Sequence, residues 1–112
     1  MIPYGRQEIT QEDIDSVIHT LKSDYLTQGP VVPQFEKKLT QYTDSKYAIA
    51  VNSATSALHL ACLALEMNEQ DILWTVPISF VASANCGRYC NAKIDFVDID
   101  INSGLINVKN LK

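Results

Sequence analysis

Apolar residues recur at the spacing of a helix in the first part of the chain. The positions i, i+3, i+4 and i+7 are held by Ile14, Val17, Ile18 and Leu21. This spacing predicts an amphipathic helix over residues 11–22. Thr10 stands before it as an N-cap, and Asp13 follows three positions later, which is a variant of the capping box.

A loop and a second helix follow. The pair Gly29-Pro30 is a strong loop signal, and Pro33 suits the first turn of a helix because its ring fixes a helical φ. An apolar stripe is supplied downstream by Phe35, Leu39 and Tyr42. The sequence therefore predicts two helices joined by a loop before residue 45.

From residue 46 onward, short apolar runs alternate with helical patterns. The runs predicted to be strands are 47–51, 72–75 and 94–99. The segments predicted to be helices are 57–67 and 79–90, a turn is predicted at 102–104, and a further helix is predicted to begin in 108–112. Strands that alternate with helices form a parallel sheet with right-handed crossovers, so the predicted fold class is α/β.

The predicted helix 57–67 is apolar on most sides, as a helix inside a larger body would be. Two crossovers also supply too few helices to cover both faces of a parallel sheet. We therefore expect this chain to be the N-terminal piece of a longer α/β protein. A small complete domain is the alternative interpretation.

The composition excludes several classes of protein. The 112 residues include 9 Lys and Arg against 13 Asp and Glu, a formal net charge of −4, and 46% hydrophobic residues. This is typical of a folded globular chain, and the acidic balance argues against a general binder of nucleic-acid backbones. The sequence lacks an apolar run of the roughly 20 residues that span a membrane, and it lacks the pattern of a signal peptide. A cytoplasmic location is therefore expected.

Three cysteines, Cys62, Cys86 and Cys90, are an odd number for a chain without a secretion signal, which argues against a disulfide framework. Cys86 and Cys90 are one helical turn apart, but neither a Cys-x-x-Cys motif nor a nearby His supports a metal site. We interpret all three as small buried thiols, and we expect no metal.

The junction between the first predicted strand and the helix that begins at Ala57 is a candidate binding site. A helix N-terminus presents unpaired N–H groups and the positive end of the helix dipole, so it attracts anions. Ser53, Thr55 and Ser56 add hydroxyl donors there. The loop 52–56 either binds a phosphate or only caps the helix, and it has neither the P-loop nor the dinucleotide-binding glycine pattern.

A second junction, 75–85, also runs from the end of a strand to the start of a helix. Ligands of parallel sheets gather at the carboxyl ends of the strands, so Phe80 is expected near any ligand of Thr55 and Ser56. Its ring would then stack on a flat cofactor. The alternative is that Phe80 belongs to the core.

Five motifs in series resemble the N-terminal third of the DegT/DnrJ/EryC1/StrS sugar aminotransferases. They are Ile2-Pro3-Tyr4, the loop Leu26-Thr27-Gln28-Gly29-Pro30 followed by Phe35-Glu36, the run from Asn52 to Leu60, the run from Pro77 to Asn85, and Phe96-Val97-Asp98-Ile99-Asp100. They cover essentially the whole chain in the order and spacing of the family. Within the family, they are most similar to the UDP-sugar C4 transaminases of pseudaminic acid biosynthesis.

The resemblance implies the N-terminal part of a fold type I enzyme that depends on pyridoxal 5′-phosphate, with three α/β layers and a mostly parallel sheet. It implies a helical segment with a substrate loop over 1–45 and the start of the large cofactor-binding domain over 46–112. The implied reaction moves an amino group from glutamate to C4 of a UDP-4-keto-6-deoxy-N-acetylhexosamine. The enzyme would be a homodimer, with neither nucleic acid nor a membrane as partner.

The motifs also imply roles for single residues. Thr55 and Ser56 would hold the cofactor phosphate, and Phe80 would stack on the pyridine ring. The sugar nucleotide would be bound by Tyr4, Asp24, Tyr25, Leu26 and Thr27.

None of the lysines in this chain matches the Schiff-base motif of the family, so the chain alone is expected to be inactive. Two alternatives stay open at this point. One is another nucleotide-sugar aminotransferase, such as a perosamine-type enzyme. The other is a non-catalytic α/β domain that binds an anion or a partner.

Overall fold

The computed structural model describes residues 5–111. In chain order the elements are α1 (Gln11–Leu21), α2 (Val31–Thr43), α3 (Ala54–Ala64), β1 (Ile72–Thr75), α4 (Ala82–Tyr89), β2 (Lys93–Phe96) and a 3-10 helix (Val108–Asn110). The residues divide into two compact units at the bond between Ala50 and Val51. Residues 5–50 form the first unit, and residues 51–111 form the second unit.

The capping box predicted at the start of α1 is confirmed. The Asp13 carboxylate accepts from the Thr10 N–H at 2.8 Å, and the Thr10 hydroxyl accepts from the Asp13 N–H at 3.3 Å. The bonds from the Thr10 backbone and hydroxyl favour the ionised carboxylate, so the pKa of Asp13 lies below its ordinary value. The helix ends at Leu21, one residue before the predicted end.

Helix α2 begins at Val31, two residues before the predicted start at Pro33. Pro33 therefore takes the third helical position, where a backbone N–H would be unpaired in any case. The helix ends where Asp44 adopts the left-handed conformation, with φ of 51°. The Glu36 carboxylate accepts from the Ala50 N–H at 2.8 Å and so ties the following segment to α2.

The prediction of a strand over residues 47–51 is wrong. The backbone is irregular there, and Tyr47 and Ile49 are 74% and 80% exposed. A strand forms only where a neighbouring strand accepts and donates its hydrogen bonds. Within residues 5–111 the sheet consists of β1 and β2, and neither pairs with this segment.

The second unit contains a β1–α4–β2 arrangement, which confirms the α/β class. The two strands are parallel, and Trp74 pairs with Asp95 in their register. The Trp74 indole N–H donates to the Asp95 carboxylate at 3.3 Å across the strands. β1 has the predicted bounds, but β2 ends three residues before the predicted end, and Ile99 instead forms an antiparallel bridge with Ile106.

The helices of the second unit differ from the prediction at their ends. α3 begins three residues earlier than predicted. Shortly after its end, Glu66 adopts the left-handed conformation, with φ of 57°. α4 is shorter than the predicted 79–90 because residues 79–81 form a turn before it. The predicted final helix is a single 3-10 turn within the described residues.

The core of the second unit is built from small side chains. Its buried residues are Cys62, Ala82, Cys86, Cys90, Ala92 and Val97. Gly87 faces the sheet so closely that an added Cβ would lie 2.8 Å from Ile94 Cδ1 and 2.9 Å from Leu73 Cδ2. Small residues therefore let α4 approach both strands.

The three cysteines are free and buried, as predicted. Burial, together with a hydrogen bond with Cys86, raises the pKa of Cys62 to about 11. Among residues 5–111, no group of His, Cys, Asp or Glu is arranged to hold a metal ion.

Large apolar side chains remain exposed on most of the described elements. In α3 only Cys62 is buried, while Leu60 and Leu63 are 47% and 50% exposed. The apolar stripe of α1 is likewise exposed. No helix in the described part of the chain has both the length and the apolar character needed to cross a membrane.

Candidate functional site

The first turn of α3 contains the hydroxyl residues that the sequence singled out. Ser53 is the N-cap, and its hydroxyl accepts from the Ser56 N–H at 3.2 Å. The prediction that the helix begins only at Ala57 is wrong, because Thr55 and Ser56 already occupy its second and third positions. The cap interpretation therefore applies to Ser53, and the other two hydroxyls are not the N-cap.

Several donors at this helix start have no acceptor in the described part of the chain. The N–H groups of Ala54 and Thr55 make no hydrogen bond within residues 5–111, as expected for the first positions of a helix. The Thr55 hydroxyl also makes none within that range. The first turn of α3 contains no acidic residue. The arrangement can therefore bind an anion, because these donors and the helix dipole all favour negative charge.

Asn52 completes the polar cluster and was not singled out from the sequence as a functional residue. The Ser56 hydroxyl donates to Asn52 Oδ1 at 2.7 Å, and the Ser53 and Ser56 hydroxyls are 3.0 Å apart. The signal in the sequence is the spacing of four residues between Asn52 and Ser56, which is one helical turn. That signal has meaning only once the helix is known to begin at Ala54.

A pocket of about 250 Å³ lies beside this helix start. It is lined by Ala54, Thr55 and Leu58 of α3 and by Ser79, Phe80, Ala82 and Ser83 from the segment after β1. The structure thus brings Thr55 and Phe80 to one pocket, whereas Ser56 does not line it. Ligand pockets usually measure about 300–1,000 Å³, so a cofactor at this position would need further walls.

Phe80 is 74% exposed, so it is not a core residue of the second unit. Its carbonyl accepts from both the N–H and the hydroxyl of Ser83, at 3.0 and 2.9 Å. These bonds hold the Phe80 backbone at the start of α4 and leave the ring accessible. Such a ring can stack on a flat ligand in the pocket.

Four of the five residues predicted to bind sugar lie in the described part of the first unit. Asp24, Tyr25, Leu26 and Thr27 are all exposed in the segment between α1 and α2. Gly29 packs against this segment, since an added Cβ would lie 2.8 Å from Tyr25 Cβ. Tyr4, the fifth predicted residue, lies outside the described residues.

The first unit also contains a cleft of about 490 Å³ between α1 and α2. Its lining includes the hydroxyls of Ser16 and Thr20, but these donate to carbonyls of their own helix, at 2.8 and 3.0 Å. They are therefore engaged and do not converge on a ligand. The cleft is also lined by Asp15, His19, Gln34 and Lys38, so it carries charges of both signs. The smaller pocket lies at a helix start whose first turn has no acidic residue, and it is therefore the better candidate for an anion.

Comparison with known proteins identifies the relatives of this chain. Residues 7–112 match the DegT/DnrJ/EryC1/StrS aminotransferase family. The UDP-4-amino-4,6-dideoxy-N-acetyl-beta-L-altrosamine transaminase of Campylobacter jejuni is 46% identical over 112 residues, which are 100% of this chain and 29% of that protein. The sequence resemblance is thereby confirmed.

Solved structures show the same fold. Spr1654 of Streptococcus pneumoniae, described as a sugar aminotransferase and solved in forms with pyridoxal and pyridoxamine phosphate, gives a TM-score of 0.91 at 30% identity, over 98% of this chain and 28% of that one. The GDP-4-keto-6-deoxy-D-mannose-3-dehydratase of Escherichia coli, with bound hydrated pyridoxal phosphate, gives 0.85 at 25% identity, over 96% and 29%.

These relatives are much longer than the chain, which spans less than a third of the length of each. The predicted fold class is confirmed: the chain has the fold of the N-terminal part of a pyridoxal-phosphate-dependent sugar aminotransferase. The predicted cofactor, pyridoxal 5′-phosphate, is the one that these structures contain.

Proposed function

The chain belongs to the DegT/DnrJ/EryC1/StrS aminotransferase family, and on this premise we propose that it is the N-terminal part of a sugar-nucleotide aminotransferase. The proposed reaction converts glutamate to its 2-oxo acid and delivers the amino group to C4 of a UDP-4-keto-6-deoxy-N-acetylhexosamine. The observation that carries this choice is the 46% identity, over the whole chain, to the altrosamine transaminase. The reaction would then belong to pseudaminic acid biosynthesis.

The residues beside α3 fit both ends of pyridoxal phosphate. The free N–H groups of Ala54 and Thr55, with the hydroxyls of Thr55 and Ser56, suit a phosphate at the helix start. The exposed ring of Phe80 on the same pocket suits the flat pyridine. When bound, the cofactor supplies the electron sink that lets an amino group leave one carbon and join another. The side chains named here bind and orient it.

The remaining parts of the proposal concern the intact protein. Tyr4 and residues 24–27 would bind the sugar nucleotide, with 1–45 as the substrate segment and 46–112 as the start of the cofactor domain. A proton-transferring lysine is also required, and the lysines of this chain do not match the family's motif, so this chain alone is expected to be inactive. We further propose a cytoplasmic homodimer, which sedimentation and cell fractionation would test.

The direct test uses the purified intact protein. We expect the visible absorbance of bound pyridoxal phosphate and a glutamate-dependent amination of the UDP-linked keto-sugar. Keto-sugars linked to dTDP and GDP, assayed side by side, are the controls for substrate choice. Amination of one of these instead would support the other nucleotide-sugar aminotransferase and overturn the proposed substrate. A protein that binds no pyridoxal phosphate would support the non-catalytic alternative.

The phosphate site is tested by removing its two hydroxyls. We expect the double variant Thr55→Val and Ser56→Ala to bind pyridoxamine phosphate at least tenfold more weakly, because a hydrogen bond to a charged group contributes roughly 1.5–3 kcal/mol. The amine form is used because it has no covalent link that would mask the loss. Ser16→Ala, an exposed hydroxyl on α1, is the matched control and should change nothing. Unchanged affinity of the double variant would mean that these hydroxyls do not contact the phosphate.

A further inference from the structure

Asn52 reaches forward by one helical turn to the start of α3. Its Oδ1 accepts the Ser56 hydroxyl proton at 2.7 Å, and the Ser53 hydroxyl lies 3.4 Å from the same oxygen. The Ser56 N–H is meanwhile bound to the Ser53 hydroxyl at 3.2 Å. Asn52, Ser53 and Ser56 thus form a closed set of hydrogen bonds around the first turn.

This arrangement conflicts with a role for Ser56 as a phosphate donor. A serine hydroxyl has one proton and an ionised phosphate only accepts, so Ser56 cannot donate to both Asn52 and the phosphate. When its proton turns to a phosphate, the Ser56 oxygen keeps free lone pairs on the side of Asn52. A neighbour that only accepts would then be left facing another acceptor.

The Asn52 carboxamide can bind the Ser56 hydroxyl both without and with a phosphate at the site. Its Oδ1 is an acceptor, and its Nδ2 has two protons that bind no partner within residues 5–111. We propose that Asn52 is a positioning residue for Ser56: its Oδ1 accepts from the Ser56 hydroxyl without the phosphate, and its Nδ2–H donates to the Ser56 oxygen with the phosphate. A half-turn of the amide exchanges the two.

The inference rests on the proposed function, because it takes a phosphate at this helix start as given. It predicts that Asn52 acts on phosphate binding only through Ser56. Thr55, the neighbouring hydroxyl, makes no hydrogen bond with Asn52 and therefore serves as the internal control.

The experiment is a pair of double-mutant cycles on the intact protein. Binding of pyridoxamine phosphate and of pyridoxamine, which has no phosphate, is measured by calorimetry for each variant. We expect Asn52→Ala to lower the preference for the phosphate form by roughly three- to tenfold, the range for the loss of one hydrogen bond. In the Ser56→Ala background the same change should have no effect, whereas in the Thr55→Val background its effect should persist in full.

Each outcome decides the inference. Equal losses for both ligands, or a loss of the same size in the Ser56→Ala background, would mean a merely structural role and would overturn it. An unchanged preference in Asn52→Ala would mean that Asn52 does not position Ser56, and tighter phosphate binding would mean that Asn52 only competes for the proton; either result overturns the inference. If the unaltered protein does not prefer pyridoxamine phosphate to pyridoxamine, the proposed function itself fails. Asn110→Ala is the matched control, because the Asn110 side chain makes no hydrogen bond among the described residues.

Discussion

The backbone of Phe80 is fixed by two hydrogen bonds to its carbonyl, while its ring is left accessible. A side chain that is 74% exposed contributes little to the core of residues 51–111, so its contribution depends on what covers it, either a ligand or the rest of the intact protein. The opposite holds for Cys62, which is buried, has a pKa of about 11, and has no part in the candidate site. The two residues can therefore be separated by experiments on cofactor binding and on stability.

Phe80→Ala in the intact protein should weaken cofactor retention without unfolding the apo form. The lost stacking should cost on the order of 1 kcal/mol of binding, whereas loss of a core phenylalanine would cost about 3–5 kcal/mol of stability. Denaturant unfolding of the apo forms and calorimetry with pyridoxamine phosphate measure the two quantities. Phe80→Tyr, which keeps a ring, should retain affinity. A large loss of apo stability would instead show that Phe80 is a core residue of the intact protein.

Cys62 should make the stability of the protein sensitive to alkaline pH. Its pKa is about 11 in the folded chain against an ordinary 9.0, so the unfolded thiol ionises first as the pH rises. The stabilisation is therefore complete below pH 9.0 and is lost as the pH rises toward 11. Urea midpoints across this interval should fall more steeply for the unaltered protein than for Cys62→Ala. Parallel curves would show that Cys62 is not held neutral by the fold.

At the scale of helices and strands, the sequence predicts best the features that depend on residues close together in the chain. The capping box of Thr10 and Asp13 is encoded locally and is confirmed. The predicted bounds of β1 are confirmed as well, because β2 supplies its partner. The sequence does not predict the start of α3, because Ser53, Thr55 and Ser56 are all residue types that cap helices and only the backbone decides which one does.

Other features depend on residues far apart in the chain. Residues 47–51 have the composition of a strand, but a strand requires a partner that the described residues do not provide. The position of Phe80 follows from a general rule, since Phe80 lies after the carboxyl end of β1. Among the described residues no strand precedes α3, so the same rule does not account for the place of Thr55 in that pocket. The bond between Asn52 and Ser56 could not be predicted, because it exists only for a helix that begins at Ala54.

Gly87→Ala tests how closely α4 packs on the two strands. Alanine favours a helix over glycine by about 1 kcal/mol, but the added Cβ would overlap Ile94 and Leu73, and overpacking costs about 1–3 kcal/mol. We expect a net loss of roughly 1 kcal/mol in the free energy of unfolding, measured in urea. Arg88→Ala, at the next and exposed position of the same helix, should stay within about 0.5 kcal/mol. A more stable Gly87→Ala protein would show that the two side chains move aside.

The whole molecule is characterised by its exposed apolar surface. Helices α1 and α2 have apolar stripes that the described residues do not cover, and α3 buries a single residue. The relatives are more than three times as long, and their additional residues could pack against the corresponding apolar surfaces. Contiguous apolar surface of this kind favours association when it meets water.

Residues 1–112 expressed alone should therefore be poorly soluble or molten. Size-exclusion chromatography should show association, and a hydrophobic dye should bind more strongly than it does to the intact protein. Near-ultraviolet circular dichroism should show weak tertiary packing. A monomer with a sharp thermal transition would contradict this expectation and would favour a self-sufficient domain.

The hydrogen bond between Trp74 and Asp95 makes Trp74 a fluorescent probe of the sheet. Trp74 is the only tryptophan in the 112 residues, it is 40% exposed, and its indole is tied to the neighbouring strand. In this part of the protein, tryptophan emission therefore reports the surroundings of one indole, which change when β1 pairs with β2. The helices of the first unit contribute ellipticity but no tryptophan emission. In stopped-flow refolding, a lag between the two signals would give the order in which the helices and the sheet form.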